Sequence, residues 1–240
     1  MEDYDFDVAV IGGGSAGYAT ARTTAAAGKR TVIIEAGGEL GGLCILRGCM
    51  PTKALLHAAD MRHQARRSSI WGLKPGEVSF DFAAVMRRKA AMVEEFASYR
   101  RGQLQDGRFE LIRALARFCD PHTLELDNGK VVTAEHIMIS TGSRVAELPL
   151  PGLTKLGCIT SDDALRLESL PKSIIVLGGG AVALPSGTIE QHGREFDAAQ
   201  ALLGNASYAG DVEGMQRAVA AGADLRAAVY YSYSGEMVVG

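Results

Sequence analysis

Phe6–Glu35 reads FDVAVIGGGSAGYATARTTAAAGKRTVIIE, and this stretch decides the fold. Phe6–Ile11 alternates and then turns fully apolar, the pattern of a strand buried on both faces of a parallel sheet. Gly12-Gly13-Gly14-Ser15-Ala16-Gly17 follows at once and opens an Ala-rich helix that runs to a glycine C-cap at Gly28. Thr31–Ile34 is a second, β-branched strand closed by Glu35. The result is a β-turn-α-β unit of about 30 residues. Its G-x-G-x-x-G spacing has a physical reading for each position. Gly12 permits the tight turn, Gly14 lets the backbone approach a pyrophosphate, and Gly17 permits close packing of helix on strand. The helix N-terminus, with Ser15 and Ala16 in its first turn, offers free N–H groups and a positive dipole to phosphates. Glu35, about 20 residues on, can accept from ribose hydroxyls. The bland alternative is a strand-to-helix turn that simply prefers glycine.

Working outward, a Gly-rich loop (Gly37–Gly42) leads into Cys44-Ile45-Leu46-Arg47-Gly48-Cys49. Two residues five apart in a regular helix stand ~7.5 Å apart along its axis, whereas a disulfide wants Cα atoms within ~7 Å. A Cys44–Cys49 bond therefore requires a distorted turn, which Gly48 can supply, and a strained, accessible disulfide is the chemically labile kind. Two other readings stand beside it: half of a zinc site, for which no second Cys or His pair has ligand spacing, and an inert buried pair.

Helical patterns follow from about Thr52 past His63 and from Phe80 to Leu104. Short strands are expected at Glu110–Ile112, Ala116–Cys119, Thr123–Leu126 and Val131–Val132, with an Asp127-Asn128-Gly129 turn between two of them. Ile137–Ser140 reads as a buried strand that stops at Thr141-Gly142, and Leu148–Gly152 as a linker. Ser173–Leu177 is another buried strand, followed by Gly178, Gly180 and Ala183 in a G-x-G-x-x-A arrangement. Pro185 and Gly187 then interrupt the helix that should follow, and no second strand ending in a ribose-selecting residue can be placed.

Composition narrows the function. The 240 residues are 47% hydrophobic and 22% charged with a net charge of −3. That allows a sizeable core and gives no basic patch for nucleic acid. The acidic start Met-Glu-Asp-Tyr-Asp is unlike a targeting peptide, and no apolar run approaches the ~20 residues of a membrane span. A cytoplasmic protein with neither nucleic-acid nor membrane partners is expected. Four cysteines in such a chain do not make a structural disulfide framework.

The stretch Gly41–His57, GGLCILRGCMPTKALLH, resembles the active-site segment of the class I pyridine nucleotide-disulfide oxidoreductases, which include dihydrolipoamide dehydrogenase and mercuric reductase. The resemblance runs from about Asp5 to Leu184 and rests on several motifs in order. It implies an α/β, Rossmann-like FAD-binding three-layer fold with a small antiparallel β-meander, plus an incomplete second dinucleotide-binding unit. It implies FAD and NAD or NADP as cofactors, electrons passing from NAD(P)H through FAD to a Cys44–Cys49 disulfide, a disulfide or other small-molecule substrate, and a homodimer. Gly12, Gly14, Ser15, Ala16 and Gly17 would then hold the FAD pyrophosphate, Glu35 the adenosine ribose, and Gly41, Gly42 and Leu43 the loop under the cofactor. Leu43 stands where relatives often carry Thr. Cys44 would be the interchange thiol, Cys49 the thiol beside the flavin, and Lys53 a neighbour of flavin N5. Ala116 would contact the adenine, Thr141 and Gly142 would end the second FAD motif, and Gly178, Gly180 and Ala183 would form the NAD(P) loop.

The family pattern stops near Leu184. Pro185 stands where relatives carry the glutamate that pairs with the lysine at position 53, and the interface domain with its His-Glu pair is not recognisable. The expected organisation is an FAD domain with the redox disulfide at 1–150, the start of an NAD(P) domain at 151–184, and an atypical tail at 185–240. Within that tail, 202–225 resembles a single ankyrin repeat, too little to bury its own face, and the other reading is a poorly ordered tail. The competing readings are a truncated flavin disulfide oxidoreductase, a non-catalytic FAD-binding fragment or thiol redox module, and an interaction protein acting through the tail.

Overall fold

A computed structural model describes residues 4–145, 157–177 and 228–230. Within them, contacts divide the chain into two compact units, one joining 4–50 with 92–144 and the other containing 51–91, 157–177 and 228–230.

The first unit is built on a six-stranded sheet of order β3-β2-β1-β6-β5-β4. Its strands are β1 (Phe6–Ile11), β2 (Thr31–Ile34), β3 (Glu110–Ile112), β4 (Ala116–Asp120), β5 (Thr123–Leu126) and β6 (Val131–Ile139). β1 pairs in parallel with β2 and β6, and β2 with β3. β4, β5 and the start of β6 form an antiparallel meander. β1 explains the continuous apolar run, because it is covered on both sides. Val8 and Val10 pack with Tyr18 and Ala21 of helix α1 (Ser15–Ala26), with Leu104 and with Phe109. Ala9, on the opposite face, packs with Leu124, Leu126 and Val132 of the meander. Helix, sheet and meander give three layers, each buried aliphatic side chain contributing roughly 1.5–3 kcal/mol.

The sequence pattern reads β6 as two pieces separated by Thr133–His136. The structure joins them, because one strand serves two ladders: Val131–Thr133 runs antiparallel to β5, and the remainder runs parallel to β1. The expected burial of Ile137–Ser140 is corrected at the same place. Ile137 packs against the meander core, but Met138 stays 46% exposed, since only one face of this end is covered.

Two helices run from one unit into the other, α3 (Cys49–Arg67) and α4 (Phe82–Leu104). The second unit also contains a 3-10 turn (Ser68–Trp71), and in it the Arg62 guanidinium lies 4.7 Å over the Phe80 ring. The four-residue helix Ser161–Ala164 is closed by a capping box of Thr160 with Asp163. The expected strand at Ser173–Leu177 is present as Ile175–Leu177. Against expectation it has a parallel partner, Ala228–Tyr230, three residues too short to show a sequence pattern. Gly178, Gly180, Ala183, Pro185 and the ankyrin-like segment lie outside the described residues. Among the described residues, no helix is long and apolar enough to cross a membrane.

Candidate functional site

The carboxyl ends of β1, β2 and β6 converge, which in open parallel sheets is where ligands sit. At the end of β1, Gly12 adopts φ +100°, and its N–H donates to the Ile34 carbonyl at 2.8 Å. A Cβ on Gly12 would stand 2.3 Å from the Ser140 carbonyl oxygen, and one on Gly17 would stand 1.7 Å from the Gly12 oxygen. Both glycines are required by the chain's own backbone. Gly14, the N-cap of α1, is different: an added Cβ would meet nothing closer than Gly42 Cα at 3.7 Å. The fold itself makes no steric demand for glycine there. The Tyr18 N–H donates to the Gly14 carbonyl at 2.9 Å, which leaves the N–H groups of Ser15, Ala16 and Gly17 at the open helix end.

Glu35 ties the loops together. Its Oε2 accepts from the Gly13 N–H and its Oε1 from the Gly37 N–H, both at 2.6 Å. Arg113, just beyond β3, fastens the same loop by donating to the carbonyls of Gly37 and Gly38. Ser140 donates to the Ile11 carbonyl at 2.8 Å, which carries Thr141 and Gly142 to the mouth of the glycine turn. Ala116 is buried in the meander core.

The cysteine segment has the break that a Cys44–Cys49 bond would require, although the expected bond is not formed in this structure. A short helix, α2 (Gly42–Leu46), ends at Arg47, and α3 starts at Cys49. Gly48 sits in the break, where a Cβ would lie 3.0 Å from the Leu43 carbonyl oxygen and 3.3 Å from Cys44 Cα. α2 is pressed to the glycine loop, since a Cβ on Gly42 would stand 2.5 Å from Gly14 Cα. All four cysteines are free thiols. Cys44 is half-buried and Cys49 exposed. Burial pushes the Cys44 thiol above its ordinary pKa; the hydrogen bond to Cys49 and the Cys49 charge add to this. The Ser15 hydroxyl and the Cys49 backbone N–H work in the opposite direction. Leu43 is exposed, and so is Lys53, one turn beyond Cys49 on α3 and within the second unit. Among the described residues no group of three His, Cys, Asp or Glu side chains could hold a metal ion.

The profile of the pyridine nucleotide-disulphide oxidoreductases matches residues 6–197. The chain belongs to that family. It is 35% identical over 188 residues to the mitochondrial dihydrolipoyl dehydrogenase of Pisum sativum, covering 76% of this chain and 38% of that one. With the dihydrolipoyl dehydrogenase of Bacillus subtilis the identity is 33%, over 75% of this chain and 40% of the relative. The HOCl-induced flavoprotein disulfide reductase RclA from Escherichia coli superposes with a TM-score of 0.65 at 30% identity, covering 78% of this chain and 40% of that one. The chain thus spans about two fifths of the length of these relatives. The cofactors of the family are FAD and NAD(P)H.

The geometry adds residues that motif spacing does not show. Gly13 and Arg113 fix the loop around Glu35. Tyr18, Arg22, Arg100 and Arg108 form a cluster on the same unit: Arg100 lies 4.1 Å and Arg22 5.9 Å from the Tyr18 ring, and Arg108 donates to its hydroxyl. The available sequence signal is weak, a run of arginines in α4 with no periodic meaning of its own.

Proposed function

We propose that the chain is the flavin-side portion of an FAD-dependent disulfide oxidoreductase, with NAD(P)H as hydride donor and a disulfide-bearing small molecule as substrate. The observation that carries this reading is the α2–α3 break, which engages the Cys44 and Cys49 thiols beside the N-terminus of α1. In this reading Gly12, Gly14, Ser15, Ala16 and Gly17 hold the pyrophosphate, Glu35 the ribose, and Gly41, Gly42, Leu43, Ala116, Thr141 and Gly142 the remainder of FAD, with Lys53 near the flavin. Gly178, Gly180 and Ala183 serve NAD(P)H.

Bound FAD supplies the two-electron step between NAD(P)H and the cysteine pair. The chain's own residues then perform thiol–disulfide exchange. The Cys44 thiolate attacks a substrate disulfide, forming a mixed disulfide, and the first substrate thiol leaves with a proton from solvent. The Cys49 thiolate attacks the Cys44 sulfur, closes the Cys44–Cys49 bond and releases the second thiol. Exposure by itself favours Cys49 as the thiol that meets substrate; the order proposed here follows the family. C44S and C49S separate the two, since the variant that retains the attacking thiol still forms a mixed disulfide.

The family pairs as homodimers, and the second unit presents Trp71, 81% exposed, with Ile70 and Leu73 beside it. We propose that a second copy covers this patch; loss of dimer in W71E during light scattering checks it.

The main test is the visible spectrum of the purified chain before and after anaerobic NADH or NADPH. The expected result is a yellow protein whose flavin absorbance bleaches and gains a long-wavelength band. A yellow protein that bleaches with neither nucleotide defeats the electron relay and leaves FAD binding standing.

A further inference from the structure

Arg113 follows β3 directly, and the sheet brings it beside the acid that ends β2. β3 runs parallel to β2 with Ile112 opposite Ile34, and the Glu35 N–H donates to the Ile112 carbonyl at 2.9 Å. The base of Arg113 is firm, since the next residue, Ala114, is buried in the meander core. From there the guanidinium reaches the loop after β2. Its Nη2 donates to the Gly37 carbonyl and, at 3.3 Å, to the Gly38 carbonyl. Packing does not hold this stretch, because a Cβ added at Gly38 would meet nothing within 4 Å. Gly37 is where two tethers meet: its N–H donates to Glu35 Oε1 at 2.6 Å, and its carbonyl accepts from Arg113.

Both acceptors of Arg113 are carbonyls, so the clamp does not consume the acid. An ionised carboxylate has about four acceptor sites. Glu35 gives one to the Gly13 N–H and one to the Gly37 N–H, which leaves the others for hydroxyls of a ligand. Where those free sites point depends on where the two donors stand. Gly13 is set within the glycine turn, next to Gly12 and its close approach to the Ser140 carbonyl. Gly37 is set from its carbonyl side by Arg113.

We propose that Arg113 is the positioning residue of a ribose subsite: by holding Gly37 it aims the Glu35 carboxylate at the 2′-hydroxyl of an adenine nucleotide. The inference rests on the reading of Glu35 as the acceptor of the adenosine ribose. The action of Arg113 runs through Gly37 and Glu35, so its loss shows in recognition of the sugar rather than as a uniform loss of binding.

The test uses the full chain freed of flavin, titrated by calorimetry with ADP and with 2′-deoxy-ADP. The parent should prefer ADP about tenfold, the effect of one hydrogen bond to a charged acceptor. In R113M the preference should fall to about twofold as that bond loses its alignment, with 2′-deoxy-ADP binding nearly as before. R113K should restore most of the preference, because a single nitrogen serves both carbonyls. Added to E35Q, R113M should lower the preference no further, as expected of two residues acting in one chain of contacts. A preference unchanged in R113M, or an equal loss for the two nucleotides, overturns the proposal; the equal loss is what a merely structural clamp, or a lost charge near the phosphates, would give. If R113M does not fold by circular dichroism, R113Q is judged by the same criteria. A parent that binds neither nucleotide, or binds both equally, overturns the reading of Glu35 and this inference with it. A parent preference that survives in R113M sinks the inference alone.

Discussion

In the glycine loop, backbone meets backbone. Added Cβ atoms at Gly12 and Gly17 would lie 2.3 and 1.7 Å from carbonyl oxygens of the same loop and its neighbouring strand end. In the cysteine turn Gly42, which abuts the glycine loop, is as tight, with an added Cβ 2.5 Å from Gly14 Cα; around the cysteines themselves the approaches are looser, 3.0 Å at Gly48, and 3.3 Å at Gly41 against the flexible end of Leu46. The first region is fixed by contacts that cannot give way. Beyond Gly42 the second is held by contacts that yield by a few tenths of an ångström, and its two sulfurs are its working part. The contrast is between a cradle that must keep its shape and a turn whose sulfurs must exchange bonds.

The largest test of that contrast is G17A. An overlap of this depth with backbone cannot be relieved by a rotamer, so a loss above about 4 kcal/mol in urea unfolding is expected. A cooperative transition within about 1 kcal/mol of the parent would mean that the α1–β1 approach is adjustable after all. E35Q comes next. The carboxylate accepts two backbone N–H groups, and the amide leaves one oxygen to do so, with Gly13 buried and Gly37 exposed. A loss of roughly 1–3 kcal/mol is expected if the buried Gly13 N–H is the one left unmatched. Thermal melts that do not separate E35Q from the parent would show that Arg113 alone fastens the loop.

Gly17 was legible in the sequence for a physical reason: the strand and the turn lie together, and close packing of helix on strand demands a glycine there. The loop contacts of Glu35 were not, since the sequence reads it only as a ribose acceptor. The strand bounds at 6–11, 31–34, 110–112 and 123–126 are likewise those read from apolar runs between turn residues. Where the reading slipped, the cause was also local. Thr133–His136 interrupts the apolar run, yet a half-exposed strand carries polar residues on its open face. Helix α3 begins at Cys49, before Thr52, because Pro51 is tolerated in a first turn. The Tyr18 cluster and the Arg113 clamp left no readable trace. Arg108 meets Tyr18 across 90 residues and Arg113 meets Gly37 across 76, and such contacts are made by the sheet order rather than by any spacing.

G48A probes the looser region. Gly48 does not have a positive φ, so alanine meets only the 3.0 and 3.3 Å contacts with Leu43 and Cys44. A stability cost of about 0.5–1 kcal/mol is expected, together with a larger change in the thiol–disulfide equilibrium against glutathione, because the displaced neighbour is Cys44 itself. A cost as large as that of G17A would erase the distinction between the two regions.

The smallest effect tests the point where they touch. Ser15 belongs to the loop and helix, and its hydroxyl donates to Cys44, opposing the burial that pushes the thiol up. Removing that donor in S15A leaves burial and Cys49 less opposed. The thiol's pKa rises further, and the thiolate fraction below it shrinks. In the FAD-free chain, Cys44 labelling by iodoacetamide at pH 7.5 should slow roughly two- to threefold, and should converge with the parent at high pH. A slowing that persists at high pH would report altered access instead. A profile identical to the parent would mean that the glycine loop does not tune the sulfur, and that burial and Cys49 alone set Cys44.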